Sequence, residues 1–231
     1  MSSATVENYG WQDAAPGSSD YINPAVSAIL RRHAPADVLD AGCGNGALVR
    51  ALRNAGFAAH GIDADQGGVD LARAAAPEAR FAVALLASDP AALGFTADGQ
   101  FDAVVSTEVV EHLYAPHELP QFAWRALRPG GILVISTPYH GYLKNLALAL
   151  TNSFDKHFTA HWHGGHIKFW SRTTLSRRLG DAGFHIIGFR GVGRLPWLWK
   201  SMILIANKPA VAASQTLYTD NSNQDETHAP S

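Results

Sequence analysis

Two groups of residues in this chain have types and spacings that can do chemistry. The first is Val38-Leu39-Asp40-Ala41-Gly42-Cys43-Gly44-Asn45-Gly46, an apolar run and an acid leading into three alternate glycines. Glycine lets the backbone turn sharply and lets a ligand press against the main chain with no Cβ between them. Gly61-Ile62-Asp63 places a second acid at the end of the next apolar run, where a carboxylate can accept hydrogen bonds from both hydroxyls of a ribose; Ala64 follows, where an adenine ring can lie. The dinucleotide fingerprint spaces its glycines as Gly-x-Gly-x-x-Gly, because a diphosphate sits on the helix N-terminus. Here the spacing is Gly-x-Gly-x-Gly, and Asp40 would repel a diphosphate. Asp40 can instead accept a hydrogen bond from an ammonium group or hold the loop. An adenosine carrying an amino acid fits this pattern better than a dinucleotide does.

The second group is Ser106-Thr107-Glu108-Val109-Val110-Glu111-His112. If the segment is helical, Glu108, Glu111 and His112 stand at i, i+3 and i+4 and share one face. Two carboxylates and an imidazole so placed can hold a divalent metal such as Mg, or form a hydrogen-bond network in which Glu111 orients His112. Histidines are dense further on, at His140, His157, His161, His163 and His166. His112, His140 or His166 can serve as the base that removes a proton from an acceptor. Tyr139, Tyr142, Phe154, Phe158, Trp162, Phe169 and Trp170 gather in the same stretch, as a lid with an aromatic acceptor pocket or as packing beneath one. Leu195-Pro196-Trp197-Leu198-Trp199 is an apolar loop that can line that pocket, touch a membrane or form a dimer contact.

These residues have to be positioned by regular elements, and the apolar pattern alternates between strand and helix. Strands are expected at 38–41, 58–62, 81–83, 101–106 and 131–137, with helices at 47–55, 68–76 and 118–127 between them. Asn23-Pro24 reads as an N-cap with proline at the first helical position of an earlier helix. Beyond residue 137 a helix at 142–150, a loop at 151–166, a helix at 173–182 and strands at 184–189 and 201–206 follow. Uninterrupted apolar strands in such alternation predict a parallel sheet covered on both faces, with its ligand at the carboxyl ends of the strands.

With 231 residues, 47% of them apolar, the chain has material for one domain with decorations. The domain is expected at 21–207 with a lid insertion at about 138–170, between a flexible segment at 1–20, where Tyr9 and Trp11 can dock, and a disordered tail at 208–231. A net charge of −2 leaves no basic footprint for nucleic acid. The single cysteine excludes an intrachain disulfide and cysteine-based zinc motifs. The polar start and the lack of any apolar run near the roughly 20 residues of a bilayer span point to a cytoplasmic setting without a transmembrane segment.

Asp40-Ala41-Gly42-Cys43-Gly44-Asn45-Gly46 and Asp63 together resemble the cofactor motif and ribose acid of the class I S-adenosylmethionine-dependent methyltransferases. Phe101-Asp102-Ala103-Val104-Val105-Ser106 and Leu127-Arg128-Pro129-Gly130-Gly131-Ile132-Leu133 resemble that family's fourth strand and its turn into the fifth. The resemblance implies a Rossmann-like α/β fold: a doubly wound, seven-stranded, mainly parallel sheet with the last strand antiparallel. It implies S-adenosyl-L-methionine contacts at Asp40, Gly42, Gly44, Gly46, Asp63, Ala64, Ser106 and Thr107. The adenine amino group is left to Ser88, Asp89 or backbone, since 84–88 lacks the usual acid. Glu108, Glu111 and His112, with His166 ahead of Lys168-Phe169-Trp170, are similar to segments of ubiquinone-biosynthesis O-methyltransferases and, more weakly, small-RNA 2′-O-methyltransferases, in which a divalent cation lies near the acceptor hydroxyl. A small-molecule acceptor such as a phenol, quinone precursor or sugar is the expected substrate. RNA ribose methylation and a catalytically silent cofactor-binding scaffold are the alternatives.

Overall fold

The strands form where apolar residues run without interruption. Val38, Leu39 and Ala41, and likewise Ala103, Val104 and Val105, are fully buried, as residues of a strand covered on both faces must be. The computed structural model describes residues 10–96, 98, 100–158 and 165–210. In chain order its elements are α1 (Ser19–His33), β1 (Asp37–Ala41), α2 (Ala47–Asn54), β2 (Ala58–Asp63), α3 (Gln66–Ala75), β3 (Phe81–Val83), β4 (Phe101–Thr107), α4 (Glu118–Ala126), β5 (Leu127–Pro138), α5 (Tyr142–Leu150), α6 (Phe154–Phe158), α7 (Arg172–Asp181), β6 (His185–Val192) and β7 (Ser201–Asn207).

The sheet has seven strands in the order β3-β2-β1-β4-β5-β7-β6. β3, β2, β1, β4 and β5 pair in parallel, and β7 inserts antiparallel between β5 and β6. This is the expected Rossmann-like sheet. α1, α2 and α3 bury Val26, Leu30, Val49, Leu52 and Val69 against one face, and α4 and α7 bury Leu119, Phe122, Leu175 and Leu179 against the other. Strand order reverses between β1 and β4, so their carboxyl ends part and leave a crevice there.

Some local expectations fail for physical reasons. α1 begins at Ser19, and Pro24 lies inside it instead of at its first position. The Ile22 amide already donates to the Ser18 carbonyl, so the chain has turned before Asn23. Residues 108–112 form a turn, not a helix, with Glu108 at φ +54 and the His112 amide donating to the Val109 carbonyl. The loop expected at 151–166 contains α6. The chain after β7 is pinned at Lys208, whose ammonium donates to the carbonyls of Trp124 and Leu127. Tyr9, His161, Trp162, His163 and the tail from 211 lie outside the described residues. Among the described residues no helix is long and apolar enough to cross a membrane.

Candidate active site

The site begins where β1 ends. The amides of Gly42 and Cys43 both donate to the Ile62 carbonyl, which ties the glycine bend to the end of β2. Asp63, the next residue, turns back toward the bend. Its Oδ2 accepts from the Gly44 amide at 2.8 Å and its Oδ1 from the Asp65 amide at 2.9 Å. Beside this pair opens a cavity of about 860 Å³, on whose wall stand Asp40, Gly42, Asp63, Ala64 and Thr107.

Gly44, Gly46 and Ser106 are not on that wall. Gly44 has φ +50, and a Cβ there would overlap the Trp11 ring, so an indole occupies the close approach expected of a ligand. At Gly46, φ is +74 and a Cβ would come within 2.8 Å of the Ala72 Cβ; this glycine serves the packing of the bend on α3. The Ser106 hydroxyl donates to the Ala41 carbonyl at 2.7 Å and joins β4 to β1.

The stretch expected to be flexible supplies part of the wall. Asn45 donates through Nδ2 to the carbonyls of Gln12 at 2.7 Å and Ala14 at 2.9 Å, and Gly10, Trp11, Gln12, Ala14 and Pro16 border the cavity. Sequence reasoning missed Asn45 as a functional residue; the available signal was a lone tryptophan in a small-residue stretch. Two buried polar atoms on this wall have no hydrogen-bond partner among the described residues: Asp40 Oδ1 and Trp11 Nε1. Asp40 is 1% exposed, and burial followed by repulsion from Asp63 pushes its carboxyl up to about 8. Burial also raises the Asp63 carboxyl, against the amides of Asp65, Gly44 and Ala64, which lower it.

An acceptor and a donor left unsatisfied call for a ligand carrying both functions. An amino-acid nucleoside fits: its ammonium can satisfy Asp40, its ribose hydroxyls can reach Asp63, and its adenine can lie along Ala84, Leu85 and Leu86. Ser88 and Asp89 are off the wall, and the Asp89 carboxylate caps the short 3-10 helix Pro90–Leu93 through the Ala91 amide. Of the options for the adenine amino group, the backbone of 84–87 is the one bordering the cavity.

His112 and His166 stand on the wall of the same cavity, with Glu111 buried beside them. The amides of Ile167 and Lys168 both donate to the Glu111 carbonyl at 3.0 Å, and Trp170 Nε1 donates to the Val110 carbonyl at 3.4 Å. These bonds bring His166 beside His112, with ring centroids 4.9 Å apart. Glu111 Oε2 accepts from the Thr137 hydroxyl at 3.0 Å, while Oε1 is buried without a hydrogen bond among the described residues, 4.0 Å from His112 Nε2. One ligand atom each from Glu111, His112 and His166 lie within 4.8 Å of one another. Burial, with Glu108 second, raises the Glu111 carboxyl well above its ordinary value. Burial, then His112 and other cationic neighbours, holds His166 down at about 4.

Glu108 stands outside this set, because the turn does not align it with Glu111 as a helix would. The hydroxyls of Ser136 and Ser201 donate to its two oxygens at 2.8 and 3.1 Å. Burial lifts its carboxyl to about 7. His140 is also apart from the cluster. It lies 5.8 Å from Phe158 in a stacked pair and 5.2 Å from Phe169 edge-on, on a separate small cavity, and burial lowers it to about 4.

A Rossmann-like sheet with a glycine bend and a facing carboxylate at its switch point defines a nucleoside-binding domain. Residues 19–188 match the family model described as a methyltransferase domain. The ubiquinone biosynthesis O-methyltransferase of Methylococcus capsulatus is 30% identical over 180 residues, covering 76% of this chain and 75% of that protein. Among solved structures, magnesium protoporphyrin IX methyltransferase from Synechocystis, with bound S-adenosylhomocysteine, superposes with a TM-score of 0.60 at 21% identity over 80% of this chain and 81% of that one. The [4+2]-cyclase SpnF superposes with a TM-score of 0.62 at 20% identity over 82% of this chain and 81% of that one. The two structures share the fold. The chain belongs to the methyltransferase-domain family and is a class I S-adenosylmethionine-dependent methyltransferase.

Proposed function

We propose that this enzyme methylates a hydroxyl oxygen of a small-molecule acceptor, beside a divalent transition-metal ion held by Glu111, His112 and His166. One observation carries the reading: ligand atoms of these three residues converge within 4.8 Å, and two of them, His112 and His166, stand on the wall of the cavity that Asp63 and the glycine bend also line. Two imidazoles and one carboxylate suit zinc, iron or nickel better than magnesium, which prefers oxygen donors. The O-methyltransferase relative supports oxygen as the acceptor atom.

Bound S-adenosylmethionine supplies a methyl carbon already activated by sulfonium charge. A metal at Glu111, His112 and His166 would polarise the acceptor oxygen. The chain's residues do the remaining work by positioning and by excluding water. Asp63 holds the ribose, Asp40 the ammonium, and Trp11 covers the bend. Thr137 orients Glu111. As the acceptor oxygen bonds to the methyl carbon, the carbon–sulfur bond breaks and the hydroxyl proton departs to solvent.

The decisive experiment follows labelled methyl groups from the cofactor into a cell extract. Label should enter the small-molecule fraction, be abolished by EDTA and return with zinc or another transition metal, but not with magnesium. Label confined to RNA or protein would overturn the acceptor class, and transfer untouched by EDTA would overturn the metal. Asp63→Ala should weaken S-adenosylhomocysteine binding by about 1.5–3 kcal/mol, the loss of a charge-assisted pair, as read by calorimetry.

A further inference from the structure

A second cavity, of about 620 Å³, adjoins the first, and Glu108 and His166 stand on the walls of both. It is rich in cations. Lys144 of α5 is 6% exposed, and its ammonium donates to the Lys200 carbonyl at 3.1 Å. Arg194 and Lys200 border the same space, the Lys200 ammonium 5.1 Å from the Tyr21 ring centroid. Among the described residues, none of these cations forms an ion pair with a carboxylate within 4.0 Å. The acid on the wall, Glu108, is held by two serine hydroxyls. Much of the remaining surface is aliphatic, from Pro138, Ala147, Leu148 and Leu198. A buried ammonium whose neighbouring acid, Glu108, acts on it only from beyond ion-pair distance is costly, and a binding site can recover that cost from an anionic ligand.

We propose that the acceptor carries an oxyanion, such as a carboxylate, on an apolar body, and that Lys144 and Arg194 bind this anion in the second cavity while the acceptor hydroxyl sits between Glu108 and His166. This rests on the methyl-transfer reading and adds the class of acceptor. The cations are then specificity determinants: they fix which end of the acceptor enters the second cavity and which end faces the methyl donor. A neutral acceptor of the same shape leaves Lys144 unpaired and binds less well.

The test uses calorimetry on the full chain with 4-hydroxycinnamate and its methyl ester, which differ in the anion and one added methyl, each with and without saturating S-adenosylhomocysteine. The acid should bind at least tenfold more tightly than the ester, and Lys144→Met and Arg194→Gln should each cut that preference fivefold or more. Arg194 is exposed, so its variant keeps the test open if Lys144→Met fails to fold. Equal affinities for acid and ester, equally undetectable binding of both, or a preference that survives both substitutions would overturn the proposal. Titration of S-adenosylhomocysteine alone reads the first cavity separately. Failure there would remove the methyl-donor reading, while the acid–ester comparison in cofactor-free protein would still decide the second cavity.

Discussion

Asp40 is a carboxyl that the fold places in the core, with one oxygen left without a hydrogen bond among the described residues. Its folded-state value of about 8 lies above the ordinary 3.8. Between those values the native protein holds a proton that the unfolded chain has released, so stability falls as pH rises through that window. Asp40→Asn removes the ionisation and should stabilise the ligand-free protein by about 2 kcal/mol at pH 8. That corresponds to a rise of roughly 4–8 °C in Tm, shrinking toward zero near pH 4. Melting curves across that range check it. The same substitution should weaken S-adenosylmethionine binding, because the neutral amide cannot pair with the ammonium. A buried acid that costs stability and raises affinity is the expected mark of a ligand site.

At the scale of elements, the segment over the bend has its own consequence. Trp11→Ala should lower S-adenosylhomocysteine affinity about tenfold while moving Tm by no more than about 2 °C, since the indole packs on Gly44 and Gly68 at the bend and lies outside the buried clusters on the two faces of the sheet. Gly44→Ala should reproduce the affinity loss, because its methyl displaces the same ring. Calorimetry and melting on both variants decide the matter. Which elements were readable from the sequence follows from how local their causes are. β3 at Phe81–Val83 and α5 at Tyr142–Leu150 match their expected bounds, because periodic apolar residues record the direction of burial within a few positions. The glycine bend and Asp63 were equally readable, since turn geometry and strand ends are local. The turn at 108–112 was not: its i, i+3, i+4 spacing suits a helix, and bonds from Ser136 and Ser201 to Glu108 decide otherwise. His166 reaches Glu111 through backbone bonds spanning more than fifty residues, which local pattern does not encode. Asn45 holds Gln12 and Ala14 in the same long-range way.

For the whole molecule, ligand binding and stability are linked. S-adenosylhomocysteine at one hundred times its dissociation constant should add about 2.7 kcal/mol and raise Tm by roughly 5–11 °C. Hydrogen exchange in the complex should slow at residues 10–16, 42–45 and 84–87, which border the first cavity, and stay unchanged in β6, which does not. Slowing spread evenly over the sheet would mean that the ligand sits elsewhere. The partition made by Glu108 and His166 has one more consequence. The chambers on its two sides have separate roofs, the N-terminal stretch above one and α5 above the other. Each reactant can therefore enter and leave by its own door, and the kinetics should show random loading, with neither spent product obliged to depart first.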